Sequence, residues 1–151
     1  MFNTQVRSVK VDIQASREQV WQILTDTARY AEWNPFTPQI DGRLLLGETL
    51  GLHVRMPKRG DRVQYEQLEI MQHAEAESSN LAWGMRVLSP LLLRALREQI
   101  IISTGPHSCQ YYSTDSFSGL LSPLVYRLFQ QDIQQGFDAV AHALKSRAES
   151  I

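Results

Sequence analysis

Hydrophobic residues recur along this chain with two periods, and the change of period divides it. From residue 122 onward the spacing is helical. Leu124, Val125, Leu128, Phe129, Ile133, Phe137, Val140, Ala141 and Leu144 fall on one side, the repeat that lines one face of a helix. Arg127, Gln130, Gln131, Gln134, Gln135, Asp138 and Lys145 take the other. Ser122 can cap free backbone N–H groups, and Pro123 suits the first helical position. Lys145 and Arg147 fall in the last turn, where cations meet the negative end of the dipole. The pattern predicts a helix over residues 122–147, roughly 40 Å long and able to cross a whole sheet.

Upstream the period is mostly two. Val9, Val11 and Ile13 alternate with Lys10 and Asp12, predicting one half-buried strand over residues 2–14. Ser16 with Gln19 forms a capping box and predicts a helix to about Leu24, with Val20, Trp21 and Leu24 as its apolar stripe. Thr27 can cap a second short helix over residues 28–33, which Pro35 stops. Strand-like segments then follow over 39–46, 49–56, 62–73, 81–87, 96–104 and 108–117. Asp41-Gly42, Gly47, residues 57–61, Ser78-Ser79-Asn80 and Gly105-Pro106 mark turns between or within them. Strand, two short helices, a train of antiparallel strands and one long helix describe an α+β domain with helices gathered on the sheet.

Composition adds mainly exclusions. The 151 residues fit one domain, and 43% hydrophobic and 21% charged residues are ordinary globular values. A net charge of −1 gives no reason to expect nucleic acid. Cys109 is the only cysteine, so neither a disulfide framework nor a cysteine metal site is expected. His53, His73, His107 and His142 are scattered, with no ligand spacing; no metal and no cofactor are expected. Residues 1–10 lack the apolar core of a signal peptide, and no apolar run is long enough to span a bilayer. A cytoplasmic location is the default expectation.

Three local patterns carry a resemblance. The first is Ala15-Ser16-Arg17-Glu18-Gln19-Val20-Trp21, leading to Leu24-Thr25-Asp26 and then to Tyr30-Ala31-Glu32-Trp33-Asn34-Pro35-Phe36. The second is Leu81-Ala82-Trp83. The third is Asp115-Ser116-Phe117-Ser118-Gly119-Leu120-Leu121, feeding a helix that contains Gly136-Phe137. In this order and spacing, over nearly the whole chain, they resemble the START-like SRPBCC superfamily, in particular its polyketide cyclase/dehydrase and lipid transport branch. The resemblance implies a helix-grip fold, a curved antiparallel sheet wrapped around the C-terminal helix with a hydrophobic cavity between them. It also implies a lipid, quinone or polyketide-like ligand. Related sequences often carry His at the position of Ser113 and Glu at that of Asp115, so a role resting on that histidine does not transfer.

Within that frame the expected cavity wall is the helix face of Phe129, Ile133, Gly136, Phe137 and Val140. Gly136 either lets the sheet approach closely or leaves room for ligand. Trp33 is placed at a cavity mouth or as a plug, with Asn34 fixing its turn. Tyr65, Trp83, Met85 and Arg97 lie on central strands, and Tyr111, Ser113, Asp115 and Phe117 share one face of the last strand. Asp115 and Tyr111 are the candidates for acid–base chemistry, since a buried carboxylate has its charged form disfavoured. Their facing depends on register, and one residue of slip inverts it.

Two surface features complete the reading. Leu91-Leu92-Leu93 reads as a lid, as a patch for a membrane or partner, or as a short buried element. Arg55, Lys58, Arg59 and Arg62 cluster at one turn, as an anionic head-group site or as a solvated hairpin tip. The leading function is binding or carriage of a small hydrophobic ligand. A cyclase/dehydratase-type enzyme using the same cavity and an interaction domain with a collapsed cavity are the alternatives.

Overall fold

A computed structural model describes residues 2–74 and 77–151 of the chain. Its frame is one antiparallel sheet of eight strands: β1 (Thr4–Arg7), β2 (Val11–Ile13), β3 (Gln39–Asp41), β4 (Thr49–Met56), β5 (Gly60–Gln72), β6 (Ser78–Val87), β7 (Leu93–Gly105) and β8 (Ser108–Ser118). The strand order is β1-β8-β7-β6-β5-β4-β3, with β2 also paired to β8. Two helices complete it, α1 (Arg17–Thr25) and α2 (Ser122–Glu149). This is the α+β helix-grip arrangement: the long last helix crosses the inner face of a curved sheet.

The expected single strand over residues 2–14 is broken in two. Ser8 interrupts it by bonding twice to Ser113: its N–H donates to the Ser113 carbonyl (2.8 Å), and its Oγ accepts from the Ser113 N–H (2.9 Å). The next N–H, that of Val9, leaves the sheet to donate to Asp138 Oδ1 on α2 (2.8 Å). Val9 is therefore exposed, while Val6, Val11 and Ile13 go inside.

α1 forms as its sequence indicates. Ser16 Oγ accepts from the Gln19 N–H, the Gln19 side chain returns to the Ser16 N–H, and Val20, Trp21 and Leu24 are buried. The second short helix is instead a 3-10 turn, Thr27–Glu32, with no side-chain cap from Thr27. Asn34 Oδ1 then accepts from the N–H groups of Phe36 (3.1 Å) and Thr37 (2.8 Å), a turn that drives Phe36 into the core.

Other boundaries also differ from the pattern-based ones, three of them for a visible local reason. The segment 39–46 keeps only three residues in strand, because Gly42 turns the chain at φ +106°. Ser78, Ser79 and Asn80 pair with Ile102, Ile101 and Ile100, so they open β6 where a turn was expected. Ser122 is the first residue of α2 and not its cap; its Oγ donates back to the Gly119 carbonyl (2.8 Å).

The core follows the inward parity of the strands. Leu50, Leu52, Val54 and Met56 of β4 are buried, as are Leu81 and Trp83 of β6 and Ile101 of β7. α2 faces them with Ile133, Phe137, Val140, Ala141 and Leu144. The C-terminal half of α2 packs tightly, whereas Val125, Tyr126 and Phe129 in its first half are only half-buried. That difference in packing creates the site.

Candidate functional site

Between the sheet and the first half of α2 lies a cavity of about 140 Å3, an order of magnitude beyond the roughly 10–15 Å3 that seats one water. The space is open and not collapsed. Strand register builds its floor. Across β6, β7 and β8 the partners Trp83, Arg97 and Asp115 form one row, and Met85, Ala95 and Phe117 the next. Residues opposite one another in a ladder share a face, so both rows point at α2. Leu52 with Gln64 and Val54 with Arg62 supply the wall from β4 and β5. Val125, Phe129, Ile133 and Phe137 close it from the helix, and Phe36 from the Asn34 turn. Arg62 is exposed, and Gln64, Met85, Val125 and Phe129 are half-buried, which marks the mouth.

Arg62 and Gln64 reach water at the mouth, whereas the polar groups deeper in the cavity are costly. Arg97 is 5% exposed, yet its Nε and Nη2 have no hydrogen-bond partner. The guanidinium lies over the ring of Phe137, 4.1 Å from its centroid, with Trp83 (5.7 Å) and Phe36 (5.8 Å) beyond. Cation–π contact offsets part of the desolvation, but N–H donors buried without acceptors remain unfavourable.

Two carboxylates share the space. Burial pushes Asp115 up to about 7 against the opposing pull of Arg97. Burial, and then the Asp115 charge, pushes Glu66 up to about 8. The strip continues downward. Ser113 Oγ and Gln99 Nε2 are also buried without partners, while Tyr111 donates its hydroxyl to Gln99 Oε1 (2.9 Å).

Of the residues singled out in the sequence, Trp83, Met85, Phe117, Phe129, Ile133, Phe137, Arg97 and Asp115 line the cavity. Four do not. Tyr65 is 72% exposed, because β5 presents Arg62, Gln64 and Glu66 inward and turns the residues between them out. Trp33 packs edge-to-face on Tyr30, 5.1 Å between centroids, and lies in a separate surface groove with Ile23 and Arg147. Gly136 leaves no room for ligand: a Cβ there would overlap Cδ1 and Cε1 of Phe36, so the glycine is the seat of that ring. Val140 is fully buried in the packed half of α2.

Tyr111 is fully buried below the cavity and does not line it; burial raises its phenol. Glu66 and Phe36 also line the cavity, and sequence reasoning missed both; Arg62, expected only in the cluster at the hairpin turn, lines it too. The Asn34 turn was a signal for Phe36. Glu66 had none, since an acidic residue in a strand reads as solvent-facing.

The surface features also resolve. Leu91 is exposed, whereas Leu93 is buried as the first residue of β7. Arg59 donates to Asp132 Oδ2 (3.2 Å) and to the Leu128 carbonyl (2.9 Å), and its guanidinium covers Phe129. His53 pairs with Asp41 (2.7 Å), and His73 with Glu18. Among the described residues no three His, Cys, Asp or Glu side chains gather to hold a metal.

Comparison with known proteins matches this geometry at the level of fold. A hypothetical protein from Helicobacter pylori superposes with a TM-score of 0.73 at 13% identity, over 97% of this chain and 89% of that one. The Zhui aromatase/cyclase from Streptomyces sp. R1128 gives 0.70 at 16%, over 97% and 93%. Norcoclaurine synthase from Thalictrum flavum, in complex with dopamine and hydroxybenzaldehyde, gives 0.68 at 14%, over 95% and 85%. A search of curated protein sequences finds no significant match. The family model for polyketide cyclase/dehydrase and lipid transport matches residues 4–149. Nearly the whole chain, from β1 to the end of α2, therefore belongs to the polyketide cyclase/dehydrase and lipid transport family.

Proposed function

We propose that the cavity binds a small hydrophobic ligand carrying one oxygen-bearing head group, a carboxylate, phenol or ketone, set against Arg97. One observation carries this reading: a buried guanidinium with two unpartnered N–H donors inside an apolar cavity. Buried donors are almost always satisfied, and a ligand oxygen would satisfy these. Apolar walls supply affinity, and the few polar groups set orientation. A cavity of about 140 Å3 suits one or two rings or an equally short stretch of chain. The two enzymes with this fold, one an aromatase/cyclase and one in complex with dopamine and hydroxybenzaldehyde, make aromatic ligands the first class to try.

The second reading, an enzyme of the dehydratase type, is favoured by the two carboxylates. With Asp115 near 7 and Glu66 near 8, one ionised and one protonated carboxyl coexist close to neutral pH. On a β-hydroxy ketone whose carbonyl sits at Arg97, the Asp115 carboxylate would take the proton α to the carbonyl. That C–H electron pair would form the new C=C bond. The β-hydroxyl would leave as water with the proton of Glu66. Asp115 ends protonated and Glu66 ionised, and proton exchange with solvent restores them.

Native mass spectrometry of the purified protein, before and after organic extraction, tests the binding reading. A bound hydrophobic compound, lost from Arg97→Met, supports it. A ligand-free mass together with no uptake of naphthoate would overturn it. Turnover lost in Asp115→Asn, with binding kept, would separate the enzyme from the carrier.

A further inference from the structure

Five leucines stand in water around the start of α2. Leu88 is 93% exposed, Leu91 82%, Leu120 83%, Leu124 54% and Leu128 49%. Leu88 and Leu91 lie on the β6–β7 connection, and Leu120, Leu124 and Leu128 at and after the turn into α2. The Leu120 N–H donates to the Leu91 carbonyl (3.0 Å) and the Leu121 N–H to that of Leu92 (2.9 Å), joining the β6–β7 connection to the turn before α2. Gly119, at φ +100°, permits this approach; a Cβ there would lie 2.6 Å from the Leu92 carbonyl oxygen. Leu124 and Leu128 extend the surface along α2, one turn apart.

Single exposed leucines are ordinary, but these are flanked by cations. Lys58, Arg59 and Arg127 surround Leu128 in a shallow depression whose one carboxylate, Asp132, already pairs with Arg59. Arg62 lies over the Phe129 ring. Among the described residues Lys58, Arg62 and Arg127 have no carboxylate partner within ion-pair distance.

Leucines beside unpaired cations match the boundary between acyl chains and anionic head groups. They match a protein partner less well, since protein interface cores favour aromatic residues and are depleted in lysine. The position matters too. Val125 and Phe129, each one residue past an exposed leucine, line the cavity at its mouth.

We propose that this ridge docks on an anionic bilayer, so that the cavity opens toward the membrane and a hydrophobic ligand passes between them without crossing water. The contact is peripheral, since no helix is long and apolar enough to cross a membrane. The transfer rests on the ligand reading given above; the docking does not.

The test is flotation of the full chain with phosphatidylcholine vesicles and with phosphatidylcholine–phosphatidylserine vesicles. The protein is expected to float with the mixed vesicles, and salt is expected to release it. Leu91→Asp/Leu124→Asp and Lys58→Glu/Arg127→Glu are each expected to cut the bound fraction about tenfold. All four positions are exposed, so melting temperatures should stay at the unmodified value and loss of fold can be told from loss of binding. Protein that stays in solution with both vesicle types at low salt overturns the proposal. So does flotation that both double variants retain. Flotation is read without ligand and ligand retention without vesicles, so the two readings fail separately.

Discussion

Arg97 and Asp115 are direct partners across β7 and β8, yet Nε and Nη2 of the arginine make no hydrogen bond to the aspartate. The guanidinium turns onto Phe137 instead. A guanidinium and a carboxyl group set side by side and left unjoined, inside a largely apolar cavity, leave donors for something else to take. The following outcomes derive from that arrangement and from the packing around it.

Replacing Arg97 by Met should keep the fold and its thermal stability, because a desolvated cation with unmet donors gives way to a side chain of similar length. Such replacements of buried charge are often neutral or stabilising by about 1–4 kcal/mol. Ligand retention should be lost. Calorimetric melting alongside a binding titration checks both halves.

The stability profile should slope with pH. Asp115 and Glu66 titrate near 7 and 8 in the folded chain, above their ordinary values of 3.8 and 4.5. Between about 4 and 8 the folded protein therefore holds more protons than the unfolded one, and stability falls as pH rises. The contribution of these two groups is highest below this window and levels off above it. Asp115→Asn should remove part of the slope and stabilise the protein at pH 8 by on the order of 2 kcal/mol, with little effect at pH 4. Denaturant midpoints across the pH range measure this.

Gly136→Ala should destabilise despite the gain in helix propensity, about 1 kcal/mol. The new methyl group meets the Phe36 ring, and overpacking of this kind costs about 1–3 kcal/mol. Adding Phe36→Leu should recover part of the loss. If Gly136→Ala melts higher than the unmodified protein, the Phe36 ring is not seated against Gly136.

Register predicts a contrast between two aromatic residues. Phe129→Ala at the mouth should weaken binding of an aromatic ligand about tenfold, the scale of one partly buried aromatic side chain. Tyr65→Ala, on the outer face of β5, should leave it unchanged. Equal effects from the two would mean that β5 is inverted.

How much of this was legible in the sequence depends on what each residue is coupled to. α1 was, because a capping box is local: Ser16 and Gln19 meet whatever the rest of the chain does. α2 was, because a 3.6 period over 28 residues has no rival reading. The facing of Tyr65 was not. It depends on the pairing of β5 with β4, and an inward row of Arg62, Gln64 and Glu66 reverses the usual polarity cue. The break at Ser8 was hidden as well, since it is made by Ser113 and Asp138, more than 100 residues away. Gly136 was noticed, but its partner Phe36 lies in a turn 100 residues earlier. Trp83 and Asp115 were identified singly; that they flank Arg97 in one row is a property of the ladder alone.

The most direct test is the side-chain Nε–H resonance of Arg97 in an NMR titration with naphthoate, using naphthalene as the matched hydrocarbon. If a ligand oxygen takes the free donors of Arg97, naphthoate moves this resonance and protects it from exchange, while naphthalene occupies the cavity without doing so. If both compounds bind alike and the Arg97 signal stays in place, the arginine is only part of the wall, and the proposed mode of recognition is wrong.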